Sequence, residues 1–237
     1  MEKDAGDKIL VNNASWSFSG KVPITFEDHI LKSVPLYPQG HQLILELSDF
    51  FLTNHSICYD IGCSTGLLLE SLANRHSSIK SEFVGLDIEV DMIEYANNKH
   101  KKASNVNFIH SNVVEFDFEK ADLIVSYYTL QFVRPKVRQL IINKIYNTLN
   151  WGGAFICFEK VRGPDARFQD ISNQLYTEFK LNNGYSPENI ITKSKSLKGV
   201  LEPFSTQGNL DLFRRAGFSD ITTIMKYICF EGFLMIK

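Results

Sequence analysis

The chain has 237 residues, 44% of them hydrophobic, with 25 Lys and Arg against 27 Asp and Glu for a net charge of -2. That length suits one α/β domain with a substantial core, and the near-neutral balance gives no basic footprint for nucleic acid. No run approaches the roughly 20 apolar residues of a membrane helix, and the polar opening from Met1 to Lys8 does not read as a signal peptide, so a cytoplasmic protein is expected.

In chain order, the first ~50 residues are helical by pattern, including Phe26 to Leu31 and Gln42 to Phe51, and are expected to cap the open end of a sheet. Ile57 to Ile61 reads as a short buried strand, Gly62 to Gly66 as a tight turn, and Leu67 to Leu72 as the start of a helix. Glu82 to Asp87 is a second strand ending in an acid. Val90 to Lys102 is an amphipathic helix with Met92, Ile93 and Ala96 on its apolar side. Val106 to His110 and Ala121 to Ser126 are the third and fourth strands. Lys136 to Leu149 is a helix stopped by Gly152-Gly153, and Ala154 to Glu159 is the fifth strand. Another helix spans Asp165 to Leu181. Ile221 to Lys226 and Ile228 to Ile236 read as a terminal antiparallel pair. Strand–helix alternation of this kind predicts a mostly parallel sheet with helices on both faces and a ligand at the strand C-termini. The expected division is a helical cap over 1–50 and a catalytic domain over 51–237, acting as one compact unit.

The strand, glycine turn and helix N-terminus around Cys58 to Gly66 form a nucleotide-type site, because glycines let the backbone approach a ligand closely. The spacing is Gly-x-x-x-Gly, not the Gly-x-Gly-x-x-Gly of dinucleotide folds. Asp87 follows Gly66 by 21 residues, where a carboxylate accepts both hydroxyls of a ribose or caps the next helix. Asp60 lies in an apolar strand and needs a partner, either the turn amides or a ligand ammonium. Four cysteines, Cys58, Cys63, Cys157 and Cys229, form no Cys-x-x-Cys pair, and six histidines show no ligand spacing. Free thiols, surface or capping histidines and no metal are therefore expected.

Tyr59 to Gly66, Gly85-Leu86-Asp87 and Leu149 to Ala154 together resemble class I S-adenosylmethionine-dependent methyltransferases. That resemblance implies a Rossmann-like seven-stranded fold. Lys32 to Tyr37, Tyr128 to Phe132, Lys144 to Tyr146, Phe158 to Lys160 and Asn183 to Ser186 resemble the carboxy-S-adenosylmethionine synthase family, which rebuilds the cofactor's methyl sulfonium with prephenate. The resemblance implies S-adenosylmethionine as cofactor and a possible homodimer. Asp60 and the turn residues Gly62, Cys63, Ser64 and Gly66 would meet its methionine part, with Tyr37 at the carboxylate. Asp87 would bind the ribose, Ile88 and Met92 would flank the adenine, and Asn112-Val113 would bracket its other side. Asn112 stands where the family has Asp.

Two departures bear on chemistry. The family has Asn at the position of Tyr127 and Arg near Ser194, where this chain reads Ser194-Lys195. Lysine lacks the bidentate fork of arginine. In their place come aromatics: Tyr127, Tyr128 and Phe132 at the fourth strand's end, with Tyr37, Tyr176 and Tyr185 from helical segments. Tyr127, Tyr176 and Tyr185 are the candidate catalytic residues, since an aromatic face stabilises a sulfonium by about 0.5–2 kcal/mol. Tyr127 and Tyr128 alternate in a strand, so one of them is expected to face the ligand. The activities in view are methyl transfer to a small molecule, cyclisation of S-adenosylmethionine alone to azetidine-2-carboxylate and methylthioadenosine, and the carboxy-cofactor synthesis itself.

Overall fold

The computed structural model describes residues 3–7, 9–20, 22–100 and 105–237. A two-residue pairing of β1 (Lys3–Asp4) with β2 (Leu10–Val11) opens the chain. Helices α1 (Val22–Ser33) and α2 (Tyr37–Ser48) follow. Then come β3 (Ile57–Ile61), α3 (Leu67–Arg75), β4 (Glu82–Asp87), α4 (Val90–Lys99), β5 (Val106–His110) and β6 (Ala121–Tyr127). The second half holds α5 (Pro135–Thr148), β7 (Leu149–Lys160), α6 (Ala166–Asn182), α7 (Pro187–Ser196), α8 (Thr206–Ala216), β8 (Asp220–Tyr227) and β9 (Phe230–Ile236).

The main sheet has seven strands in the order β5-β4-β3-β6-β7-β9-β8. Strands β3 to β7 run parallel and β9 is antiparallel to both of its neighbours. Side chains alternate between two cores, as a pleated sheet covered on both faces requires. Leu123, Val125, Ala154, Ile156 and Phe158 join one core with Leu68, Leu72 and Ile93 of the helices. Ile124, Phe155 and Cys157 join the other with Ile141 and Ile145 of α5 and Leu212 of α8. Val34, Ile44 and Leu52 of the N-terminal region belong to the first of these cores.

The expected elements are present, with three differences. Residues 9–20 are not helical; they hold β2 and irregular backbone, fixed by Trp16 packing against Phe18 and His29. Helix α5 stops at Thr148 and β7 begins at Leu149, before the two glycines rather than after them. The diglycine lies within the strand, where a Cβ on Gly153 would crowd the backbone oxygen of Asp122. Cys229 sits in the turn joining β8 to β9, not in a strand. Of the helix expected over 90–102, Lys101 and Lys102 lie outside the described residues. Among the described residues no helix is long and apolar enough to cross a membrane.

The order of β4, β3 and β6 places the site. The chain leaves β3 toward β4 on one side and leaves β6 toward β7 on the other, so a crevice opens beyond the carboxyl ends of β3 and β6. The carboxyl ends of β3 to β7 contribute Asp60, Asp87, Asn112, Tyr127 and Lys160 to one cavity of about 790 Å³.

Candidate active site

The turn after β3 is built by its backbone. The amides of Gly62 and Cys63 both donate to the carbonyl of Leu86, at 2.7 and 3.0 Å, which ties the turn to β4. Gly62 takes φ +75°, and a Cβ there would run into the side chain of Thr129. Replacing Gly62 with alanine therefore meets both a left-handed backbone and a steric clash. It is expected to cost about 1–3 kcal/mol of stability, read by denaturant unfolding, and to distort the turn.

Asp87 organises this corner. Its two oxygens accept from the amides of Ser64 and Glu89, each at 2.9 Å. The carboxylate thus ties the glycine turn to the start of α4, and Asp87 lines the cavity with acceptor capacity to spare. Both roles considered for it, holding backbone and facing a ligand, are compatible.

Asp60 is 2% exposed, lines the cavity, and one carboxylate oxygen has no hydrogen-bond partner. Burial, aided by the nearby Asp87 charge, raises its pKa to about 7. A buried carboxylate left open toward a cavity suits a cationic group of a ligand.

Aromatic side chains close the opposite wall. The Tyr127 hydroxyl donates to the carbonyl of Tyr37 at 2.6 Å. Its ring packs 4.9 Å from Tyr37, 4.8 Å from His41 and 4.9 Å from Phe158. Helix α2 makes room for it at Gly40, where a Cβ would collide with the Tyr127 hydroxyl. Tyr128 takes φ +61°, which breaks strand alternation, so Tyr127 and Tyr128 both line the cavity rather than one of them. Tyr176 of α6 and Phe230 of β9 complete the wall, with ring centroids 5.2 Å apart.

Of the residues expected at the site, Tyr37, Asp60, Gly62, Cys63, Ser64, Asp87, Ile88, Met92, Asn112, Val113, Tyr127 and Tyr176 line the cavity. The amide oxygen of Asn112 already accepts from the Val114 amide at 3.0 Å. Two expected residues do not line it. Gly66 caps α3 with φ +79° and lacks a Cβ because Phe108 and His100 lie behind it, so it shapes the turn from outside. Tyr185 is buried beside the cavity; its hydroxyl donates to Asp7 at 3.1 Å and lies 3.0 Å from His29 and from Ser33. That hydroxyl is consumed by structure.

Other lining residues escaped the sequence reading. Trp16 and Phe18 come from the segment expected to be helical, and His29 from α1. His76 and His100 are the C-caps of α3 and α4, as the capping expectation has it, though both are buried; His29, buried within α1, is neither a surface nor a capping residue. The Glu159-Lys160 strand end, which the sequence does offer for polar substrate contacts, divides: Lys160 lines the cavity with its ammonium 4.3 Å from the centre of the Tyr176 ring, while Glu159 is buried away from the cavity. Neither Ser194 nor Lys195 lines it; the lysine that does is Lys193. The helical period of α7 could have raised Lys193, but only the packing of α7 on α6, β1 and β2 decides which of three neighbouring residues turns inward.

The doubly wound sheet with one reversed strand, and its glycine turn and acid-tipped second strand, is the Rossmann-like class I fold of S-adenosylmethionine-dependent methyltransferases. Residues 58–153 match a family model described as a methyltransferase domain. Among solved structures, human N-acetylserotonin methyltransferase in complex with SAM shares the fold at TM-score 0.64 and 17% identity, covering 92% of this chain and 56% of that one. The magnesium protoporphyrin IX methyltransferase of Synechocystis does so at TM-score 0.58 and 13% identity, covering 84% and 82%. A carboxy-S-adenosyl-L-methionine synthase of Staphylococcus epidermidis is 37% identical over 227 residues, 95% of this chain and 99% of that protein. One from Campylobacter lari is 35% identical over 94% of each. The chain belongs to the carboxy-S-adenosyl-L-methionine synthase family, and by fold and family it is an enzyme of the transferase class.

Proposed function

We propose that this enzyme binds S-adenosyl-L-methionine and transfers its methyl group to a small acceptor that carries an anionic group. The cofactor supplies a sulfonium-activated methyl. The residues fit it: Asp60 offers an unpartnered carboxylate oxygen to the ammonium, and Asp87 offers spare lone pairs to the ribose hydroxyls. Tyr37, Tyr128 and Tyr176 give the sulfonium an aromatic wall.

The observation that carries the proposal is the reach of the cavity. Its volume of about 790 Å³ lies toward the upper end for small-molecule sites. Beyond the Asp60–Asp87 corner it continues to Tyr176, Phe230 and Lys160, so a second molecule has room. Lys160 is the cation that would hold an anionic acceptor there. Such a reaction depends mainly on positioning the acceptor in line with the methyl.

A second reading, cyclisation of the cofactor alone to azetidine-2-carboxylate and methylthioadenosine, is supported by one feature. Ser194 and Lys195, at the place of the family's arginine, are exposed and outside the cavity, while Tyr127 and its neighbours fill the position of the family's asparagine with aromatic surface. One incubation series tests the choice. With S-adenosylmethionine and a panel of hydroxy- and aminocarboxylates, mass spectrometry is expected to show a methylated acceptor and S-adenosylhomocysteine. Methylthioadenosine and azetidine-2-carboxylate from the cofactor alone would replace methyl transfer with cyclisation. A cofactor heavier by a carboxyl group in the presence of prephenate would instead assign the synthase activity.

A further inference from the structure

A chain of polar contacts runs from the N-terminal segment into the cavity. The Asp7 carboxylate lies 2.9 Å from His29 Nδ1. This partner sets the tautomer: Nδ1 carries the hydrogen, and Nε2 presents a lone pair. His29 Nε2 is 2.5 Å from Lys193 Nζ, and Ser33 Oγ accepts from the same nitrogen at 2.8 Å. Trp16 stacks on the His29 ring at 5.5 Å and holds it in place. Lys193 lines the cavity.

The hydrogen count is decisive. A neutral amine has two N–H groups and one lone pair. His29 and Ser33 take both N–H groups, so the lone pair occupies the direction left open. Burial, the largest influence on His29, lowers its pKa and keeps it neutral, so it stays an acceptor. The environment of Lys193 favours the same neutral form. Burial, then the charges of Lys180 and Lys160, bring its pKa down to about 7, against the raising effect of Asp7. Lys32 on α1 also faces this cluster through Asp7, and Tyr185 adds its hydroxyl.

We infer that Lys193 is the proton acceptor of the reaction, and that Asp7, His29 and Ser33 are positioning residues that aim its lone pair at the cavity. This rests on the reading of the cavity as a sulfonium-transfer site with a second substrate. The acceptor's O–H or N–H bond breaks as its oxygen or nitrogen bonds the methyl carbon. The methyl–sulfur electron pair stays on sulfur, leaving neutral S-adenosylhomocysteine. The acceptor proton ends on Nζ, and solvent later removes it. Burial lowers the pKa of Lys160 as well, but its ammonium sits over the Tyr176 ring, a face that favours the cation, so two lysines in one cavity divide the work of charge and base.

Two measurements test this. On the protein without cofactor, competitive acetylation read by mass spectrometry is expected to give Lys193 an ionisation midpoint near pH 7, moved by more than one pH unit in His29→Leu but by less in His29→Gln, whose amide oxygen can still accept. A midpoint near the ordinary lysine value of about 10.4 overturns the inference. In turnover, consumption of S-adenosylmethionine is expected to rise with pH through about 7 and then level off, because the base works deprotonated. Lys193→Arg, permanently charged, is expected to lose about 100-fold or more in rate with cofactor affinity changed less than about threefold. A flat profile between pH 6 and 9, or a Lys193→Arg variant with near wild-type rate, also overturns it. If the cofactor is consumed without methylating any acceptor, the methyl-transfer reading fails and the proton step falls with it, whereas methylation with a flat pH profile removes only the role of Lys193.

Discussion

Replacing Asp87 with alanine is expected to weaken S-adenosylmethionine binding by about 100-fold or more, measured by calorimetry. Hydrogen bonds to a charged group contribute about 1.5–3 kcal/mol each, and two ribose hydroxyls lost together exceed the 1.4 kcal/mol that corresponds to a tenfold change. The variant also strips the amides of Ser64 and Glu89 of their acceptor, which loosens the glycine turn. Asp87→Asn separates the two effects. It retains one acceptor oxygen for the backbone but loses the charge, so its loss in affinity is expected to be smaller and its melting temperature closer to the parent. Unchanged affinity in Asp87→Ala would remove the ribose assignment.

The second large effect concerns Tyr127. Truncation to alanine is expected to cost about 3–5 kcal/mol of folding stability, the range for removing a buried aromatic ring. The ring meets Tyr37, His41, Tyr128 and Phe158 at centroid distances between 4.7 and 4.9 Å, and none of these can collapse into the void without moving a cavity wall. Tyr127→Phe keeps the ring and loses only the bond to the Tyr37 carbonyl, so about 1–3 kcal/mol is expected with turnover largely retained. Urea unfolding reads both. A Tyr127→Ala loss below 1 kcal/mol would show that the ring is not a packing element, and full activity in that variant would remove Tyr127 from the wall that faces the sulfonium.

Burial explains why Tyr127 acts through its ring. Removal from water, with smaller contributions from Tyr128 and Tyr37, moves its hydroxyl far above the ordinary tyrosine range. It therefore remains neutral and cannot serve as a base. The proton-accepting role falls instead to a group whose neutral form is populated near neutral pH.

The fold was legible because periodicity is local. Leu123, Ile124 and Val125 are apolar in succession because a central parallel strand is covered on both faces. The turn from Gly62 to Gly66 and the acid at Asp87 were legible for the same reason: their backbone demands sit within a few residues of each other. The opening segment was misjudged because its apolar residues serve a distant partner. Trp16 and Phe18 cover His29 and Phe132 rather than the face of their own helix. Tyr128 was misjudged because strand alternation holds only while φ is negative, and its φ of +61° turns the ring to the same cavity as Tyr127. Tyr185 and Gly66 were expected at the ligand because their residue types and spacing fit; only packing shows that neighbouring side chains already occupy them.

By itself, the sequence determined the layered sheet, the cradle at Gly62 to Ser64 and the carboxylates at Asp60 and Asp87. Each depends on hydrogen bonds and hydrophobic periods that span one strand, one turn or one helix. The tertiary structure alone decided the far half of the cavity. Asp7, His29 and Lys193 are separated by 22 and 164 residues, yet they meet within hydrogen-bond distance. No local pattern encodes which lysine of α7 points inward, because that depends on how α7 packs against α6, β1 and β2 and on the desolvation that follows.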